Sequence, residues 1–326
     1  MRAVQANGNG LDDVRLIEVD PKAPEEGQLR LDLLAMTINP ADLLMLEGKY
    51  GVKPRNAFTP GAEAVARVAE VGAGVDGFAV GDLVIPMPGS CWVETMTLPV
   101  QQVIKLPAGA DLEQAAMLKA NPATASVMLR DIRDLNSGDW VVQNAANSAV
   151  GQNVIRIAAK RGINVLSIVR REEAAQQARA AGAEHVVIDD GSGEGIETDA
   201  PLAKLAFDAI GGAATQRLGA LVENGGTVVT YGLLSGDAPR LTAHDLVFRG
   251  LHLRGFWLAA WFGATPPKDI AATYAELTGW LSEGAIGAPV AATYDIGDYA
   301  DAIRHAAQEG RDGKILLTSK NWPKGS

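Results

Sequence analysis

The stretch 140–171, WVVQNAANSAVGQNVIRIAAKRGINVLSIVRR, constrains this chain more than any other. Residues 140–143 form a mostly apolar run that breaks into Asn144, Ala145, Ala146, Asn147, Ser148, Ala149, Val150 and Gly151. From Val154 apolar residues return at positions one helix face can bury, Val154, Ile155, Ile157 and Ala158, and 164–169 reads as a second strand. Strand, tight turn, helix and parallel strand make the first unit of a dinucleotide-binding sheet, whose turn sets a helix N-terminus against a pyrophosphate. The usual glycine fingerprint is only partly present. Asn147, Ser148 and Ala149 stand where glycines commonly lie, and Gly151 keeps its place. Small residues still let the backbone approach closely, and the Asn147 and Ser148 side chains add donors where the helix dipole favours an anion. An ordinary parallel-sheet turn without a ligand is the alternative the turn alone leaves open.

The second strand ends in Val169-Arg170-Arg171. An NADH site places Asp or Glu about 20 residues after the turn to meet the ribose hydroxyls, whereas a basic residue there accommodates the 2′-phosphate of NADPH. Arg170 and Arg171 suit that phosphate through forked, charge-assisted bonds. Glu172 and Glu173 offer the other reading, a solvated helix start in which the carboxylates pair with the arginines. The expected cofactor is NADPH.

A chain of 326 residues is long for one core and predicts two domains. Residues 1–115 carry short strand-like runs punctuated by Gly and Pro, including 28–36, 64–71 and 83–86. Between them Asn39 can cap a short helix that Pro40 opens and Gly48 ends, with Tyr50 in the following loop. From about Leu112 helix and strand alternate, which predicts a doubly wound sheet of about six strands. A late helix spans 268–283, after which strands return at 290–293 and 314–317. The expected architecture is α/β: a β-rich domain of 1–115 with 290–326, and a Rossmann dinucleotide-binding domain of 116–289.

A net charge of −10 with 29 Lys and Arg, and no basic run interleaved with aromatics, speaks against a nucleic-acid partner. No apolar run approaches membrane-spanning length. Cys91 is the single cysteine, which excludes an intrachain disulfide and fits a reducing compartment. With a start, Met1 to Gln5, that has neither a signal core nor a transit-type composition, a cytoplasmic location is expected. The apolar run Leu251 to Phe256 reads as the last strand of the sheet, whose open edge invites a twin and predicts a homodimer.

The order of these parts resembles the medium-chain dehydrogenase/reductase superfamily over nearly the whole chain, which implies a GroES-like fold for the β-rich domain. Within it, Asn39-Pro40-Ala41-Asp42, Gly48-Lys49-Tyr50, Gly61-Ala62-Glu63, Asn121-Pro122-Ala123-Thr124-Ala125, Gln143-Asn144-Ala145-Ala146-Asn147-Ser148, Thr230-Tyr231-Gly232 and Arg254-Gly255-Phe256-Trp257-Leu258 look like the 2-enoyl thioester reductases. The match departs at Ala149, where that family usually has Gly, and at Lys49, where an apolar residue usually precedes the tyrosine. Zinc-dependent relatives place a Cys where this chain has Pro40 and Ala41 and a His where it has Ala62, and His185, His244, His252 and His305 lack ligand spacing, so no metal is expected.

The resemblance implies a catalytic Tyr50 that hydrogen-bonds the substrate carbonyl or supplies a proton, with Asn39 and Trp257 at the substrate pocket. It implies Asn121 and Thr124 near the nicotinamide, and Tyr231, Gly232, Phe256, Trp257 and Lys314 along the rest of NADPH. The expected reaction reduces the double bond of a 2-enoyl thioester carried by coenzyme A or acyl carrier protein. An NADPH:quinone oxidoreductase on the same scaffold is the alternative, and a non-catalytic NADPH-binding sensor is the second.

Overall fold

The computed structural model describes residues 1–53, 56–193 and 195–323. The chain forms two compact units, one of Met1–Ala120 with Lys268–Ser326 and one of Asn121–Pro267.

The first unit is built from both ends of the chain. Its larger sheet runs in the order Val290–Asp295, Lys314–Thr318, Gln28–Ile38, Ala64–Val71, Leu83–Pro86, Val103–Lys105, and Thr95–Pro99 also pairs with Gln28–Ile38. The central strand explains its own role. Leu29, Leu31 and Leu33 are buried between half-buried Gln28, Arg30 and Asp32, the alternation of a sheet covered on one face; from Leu33 to Ile38 every residue is buried, as where both faces are covered. There it receives the C-terminal strand in antiparallel register, Ile315 opposite Ile38 and Thr318 opposite Ala35. Fully buried Trp92 anchors this core and donates from Nε1 to the Thr37 carbonyl at 3.2 Å.

The unit boundaries differ from the sequence expectation of 1–115 with 290–326. The late helix, Pro267–Ser282, buries Thr273, Tyr274, Leu277 and Leu281, and the Tyr274 hydroxyl donates to the Lys119 carbonyl at 2.7 Å. That contact, across 155 residues of sequence, ties the helix to the first unit rather than to the parallel sheet it follows.

The second unit is a six-stranded parallel sheet, ordered His185–Ile188, Asn164–Val169, Trp140–Gln143, Ala203–Asp208, Val222–Thr230, His252–Gly255. Numbered along the unit this is 3-2-1-4-5-6, the doubly wound dinucleotide-binding order. The order reverses between Trp140–Gln143 and Ala203–Asp208, and ligands of such sheets bind beyond the carboxyl ends of the strands at that switch. The inner strands are continuous apolar runs, Val141 and Val142, Leu205 to Phe207, Val228 and Val229 all being buried, because layers cover both faces. The edge strand His252–Gly255 is exposed along its length.

Candidate active site

The helix after the first parallel strand begins at Ala149, five residues before its apolar periodicity becomes visible, because Ser148 caps it: the Ser148 hydroxyl accepts from the Gly151 amide at 3.1 Å. Gly151 is buried where the helix touches the turn, and a Cβ there would lie 2.6 Å from the Ala146 carbonyl oxygen. Ala145 turns the chain with a positive φ of 48°, a conformation glycine adopts more readily. Asn147 spends its amide on Gln177 Oε1 at 3.0 Å, linking the turn to the helix Glu172–Ala180. Ala149 and Val150, half-buried, form the first helical residues.

At the switch point the chain ends are knitted together by buried polar groups. Asn144 donates to Asp208 Oδ1 at 2.7 Å and accepts from the Ala209 amide at 2.8 Å. Asp208 also accepts from the amides of Ile210 and Gly211 and from the Thr215 hydroxyl, so the last turns of two neighbouring strands are held rigidly. The Tyr231 hydroxyl is buried with no hydrogen-bonded partner among the described residues. Ser148 stands beside it without reaching hydrogen-bond geometry, and burial pushes the phenol's ionisation well above its ordinary range. Gly232 packs against Ala209, whose carbonyl oxygen would lie 2.5 Å from an added Cβ.

A dinucleotide fits these residues. The capped helix N-terminus supplies positive partial charge for a pyrophosphate, Gly151 permits the close turn, and the Tyr231 hydroxyl is a buried polar group awaiting a partner. Arg170 and Arg171 are exposed at the carboxyl end of Asn164–Val169. Arg171 lies 3.5 Å from Glu173, both side chains largely solvated, so this ion pair is weak and yields easily to a phosphate. Also in the second unit, Asn121 is buried and half-buried Thr124 follows on the helix Asn121–Asp131, while Phe256 is half-buried and Trp257 is 40% exposed beyond the edge strand.

In the first unit the structure brings together two residues the sequence separated by 275 positions: the Lys314 ammonium donates to Asn39 Oδ1 at 2.5 Å. Asn39 Nδ2 donates to Glu63 Oε1 at 2.8 Å, and the Asn39 amide donates to Asp42 Oδ2 at 2.8 Å. All four are buried. Burial pushes Asp42 up to about 7, against bonds from Asn39 that favour its charged form, and raises Glu63 as well; Lys314 falls to about 8, chiefly through burial. Tyr50 is half-buried in the loop after the helix Pro40–Leu46. Asp208 and Gln177 had no part in the sequence reading, and Glu63 entered it only within the motif Gly61-Ala62-Glu63, with no role at the site; an acidic residue closing an apolar strand, as in Leu205-Ala206-Phe207-Asp208, was the available signal for Asp208. Among the described residues no group of three or more His, Cys, Asp or Glu is arranged to hold a metal, and Cys91 is buried with its thiol pushed up to about 12 by burial.

Residues 25–108 match the alcohol dehydrogenase GroES-like domain family and residues 149–278 the zinc-binding dehydrogenase family. The human mitochondrial enoyl-acyl-carrier-protein reductase is 33% identical over 315 residues, covering 94% of this chain and 84% of the human protein. A Bacillus thuringiensis protein described as an NADPH:quinone reductase superposes with a TM-score of 0.87 at 25% identity, over 98% of each chain. Etr1p, a 2-enoyl thioester reductase of Candida tropicalis solved with NADP and crotonyl-CoA, superposes with a TM-score of 0.84 at 24% identity, over 97% of this chain and 99% of its own.

The expectation of a cytoplasmic location is overturned, because the human relative and its counterparts in Bos taurus, Arabidopsis thaliana and Caenorhabditis elegans are mitochondrial proteins. The single cysteine separates reducing from oxidising surroundings and does not distinguish one reducing compartment from another. The chain belongs to the enoyl-acyl-carrier-protein reductase family of the medium-chain dehydrogenase/reductase superfamily.

Proposed function

We propose that the protein is an NADPH-dependent, metal-free oxidoreductase that reduces the carbon–carbon double bond of a 2-enoyl thioester, carried by coenzyme A or acyl carrier protein, and that it works as a homodimer. The observation that carries this reading is the turn at 144–151 with its Ser148-capped helix, followed at the end of the next strand by Arg170 and Arg171. Bound NADPH supplies the hydride that the β-carbon of the substrate receives. Ser148, the helix N-terminus and Gly151 hold the pyrophosphate, Arg170 and Arg171 the 2′-phosphate, with Asn121, Thr124, Tyr231 and Phe256 along the remainder.

Charge then develops on the thioester carbonyl oxygen, and a donor that meets it lowers the barrier. Tyr50 is assigned that role: its hydroxyl donates a hydrogen bond to the oxygen or passes a proton toward the α-carbon. Trp257 lines the acyl pocket. With a Tyr donor, a single cysteine in the chain and no cluster of metal-ligating side chains among the described residues, an activated double bond suits this chain better than an alcohol or simple ketone. The exposed edge strand His252–Gly255, with Leu253 39% exposed, supports pairing with a second copy.

NADPH oxidation assayed with short and long enoyl thioesters and with a quinone tests the reaction, the quinone arm addressing the likeness to the Bacillus thuringiensis protein. Turnover of quinone alone would refute thioester reduction. Titration of NADPH and NADH into wild type and Arg170→Ala should show NADPH binding tighter by roughly one to two decades, the scale of one charge-assisted contact, with the variant losing that preference. Equal wild-type affinities would end the phosphate assignment. Elemental analysis showing stoichiometric zinc needed for activity would overturn the metal-free mechanism, and light scattering showing a monomer at micromolar concentration would remove the dimer.

A further inference from the structure

Tyr50 needs a fixed frame to place its hydroxyl to within a fraction of an ångström. Its backbone amide donates to the Leu44 carbonyl at 3.1 Å, and the Lys49 amide reaches the same oxygen at 2.8 Å. Gly48, with φ of 66°, makes the reversal that permits this, its own amide donating to the Met45 carbonyl at 3.1 Å. The loop is therefore tied to the C-terminal turn of the helix Pro40–Leu46, and what orients that helix orients Tyr50.

The helix's other end is held by the buried polar cluster. Asn39, its N-cap and only 5% exposed, bridges opposite charges with one amide: Oδ1 accepts from Lys314 and Nδ2 donates to Glu63. Glu63 is fully buried, and its second oxygen accepts from the Ala120 amide at 2.7 Å. Asp42 closes the helix's first turn onto the Asn39 amide. Lys119, also buried, donates to the Ala62 and Pro88 carbonyls at 2.5 and 3.3 Å.

Burying such charges costs several kcal/mol per ion after relaxation, and apolar residues of the same shape commonly stabilise as well or better. The cluster is thus expensive as glue. What it provides that an apolar core does not is direction: the bonds of Lys314, Glu63 and Asp42 to Asn39 fix angles at the N-cap of the helix to which the Tyr50 loop is tied.

We infer that Glu63 and Lys314 are positioning residues for the reduction, acting through Asn39 and the helix Pro40–Leu46 to fix the Tyr50 hydroxyl, a role that rests on the assignment of Tyr50 as the donor. Lys314 thereby serves the chemistry from inside the first unit, with its ammonium engaged by Asn39, rather than as a cofactor contact.

The test measures kcat, KM for an enoyl thioester, NADPH Kd and melting temperature for Lys314→Met, Glu63→Gln and Asn39→Ser, each in wild-type and Tyr50→Phe backgrounds. Asn39→Ser keeps a helix-capping side chain and loses both bridging bonds. In the wild-type background kcat should fall at least about tenfold, toward the 10²-fold typical of an ångström-scale misplacement, while NADPH Kd stays within about twofold. In the Tyr50→Phe background the same substitutions should change kcat little, because the group they position is gone. Unchanged kcat, an equal loss in both backgrounds, or a loss of NADPH affinity in Lys314→Met with kcat intact would each overturn the positioning role. Failure of all three variants to fold would overturn it in favour of a purely structural cluster. Tyr50→Phe retaining full thioester turnover would instead remove Tyr50 itself from the reaction, which separates the two failures.

Discussion

Gly151→Ala is the smallest change that tests whether the phosphate turn works as described. A Cβ on Gly151 would stand 2.6 Å from the Ala146 carbonyl oxygen, 2.7 Å from Ala146 Cα and 2.8 Å from the Ala145 carbonyl oxygen. All three neighbours are backbone, so no side chain can swing away. Ordinary contact begins at 3.4 Å, so helix and turn must part by about 0.8 Å, 3.4 less 2.6, a displacement of the kind that overpacking makes costly at about 1–3 kcal/mol. The same displacement carries the first helical turn, with the Ser148 cap and the amides that face a pyrophosphate, away from its place. Loss of one charge-assisted contact corresponds to about 1.5–3 kcal/mol, or roughly one to two decades in Kd. The expected result is a melting temperature lower by several degrees, on the scale of about 2–4 °C per kcal/mol, and NADPH affinity weaker by about tenfold to a hundredfold in calorimetric titration. Wild-type stability and wild-type affinity together would refute the account of Gly151 as the close-approach position.

Gly279, exposed within the helix Pro267–Ser282 and with nothing within 4 Å of an added Cβ, is the matched contrast: Gly279→Ala should raise stability by about 0.5–1 kcal/mol in chemical denaturation and leave activity unchanged. Ala145→Gly should relieve the positive φ, worth about 1–2 kcal/mol, against about 0.5–1 kcal/mol of added chain entropy; a net loss above about 1 kcal/mol would show the turn needs the methyl group. Burial holds Asp42 at about 7 in the folded protein, above its ordinary 3.8, so this group contributes stability that is complete below pH 3.8 and is lost as pH rises through about 7. Asp42→Asn removes that titration, and the stability of wild type relative to the variant should therefore fall between about pH 4 and about pH 7 and level off above it; a difference constant over that range would refute the buried ionisation.

Local pattern was enough for most elements and for the cofactor turn, and it failed where partners lie far apart in sequence. The strand Asn164–Val169 and the helix Pro40–Leu46 announced themselves through an apolar run and through Asn39 and Pro40, signals that reside in the segments themselves. The helix Ala149–Lys160 was visible only from Val154, because its first turn is made by small residues whose helicity depends on the Ser148 cap and not on an apolar face. Pro267–Ser282 was detected as a helix and given to the wrong unit, since its periodicity marks a buried face without naming what buries it; Tyr274 on Lys119 settles that at a separation of 155 residues. The buried cluster shows the same limit more sharply. Lys314 in the sequence is a cation at the start of an apolar strand, which suits a phosphate as well as a carboxylate. Only the antiparallel pairing of Ile315 with Ile38 carries it to Asn39, and only the strand that begins at Ala64 brings Glu63 to the same point. A residue's chemistry is written in its side chain, but which charge it meets is decided by strand register, and a one-residue slip between Gln28–Ile38 and Lys314–Thr318 would turn Lys314 to the other face of the sheet.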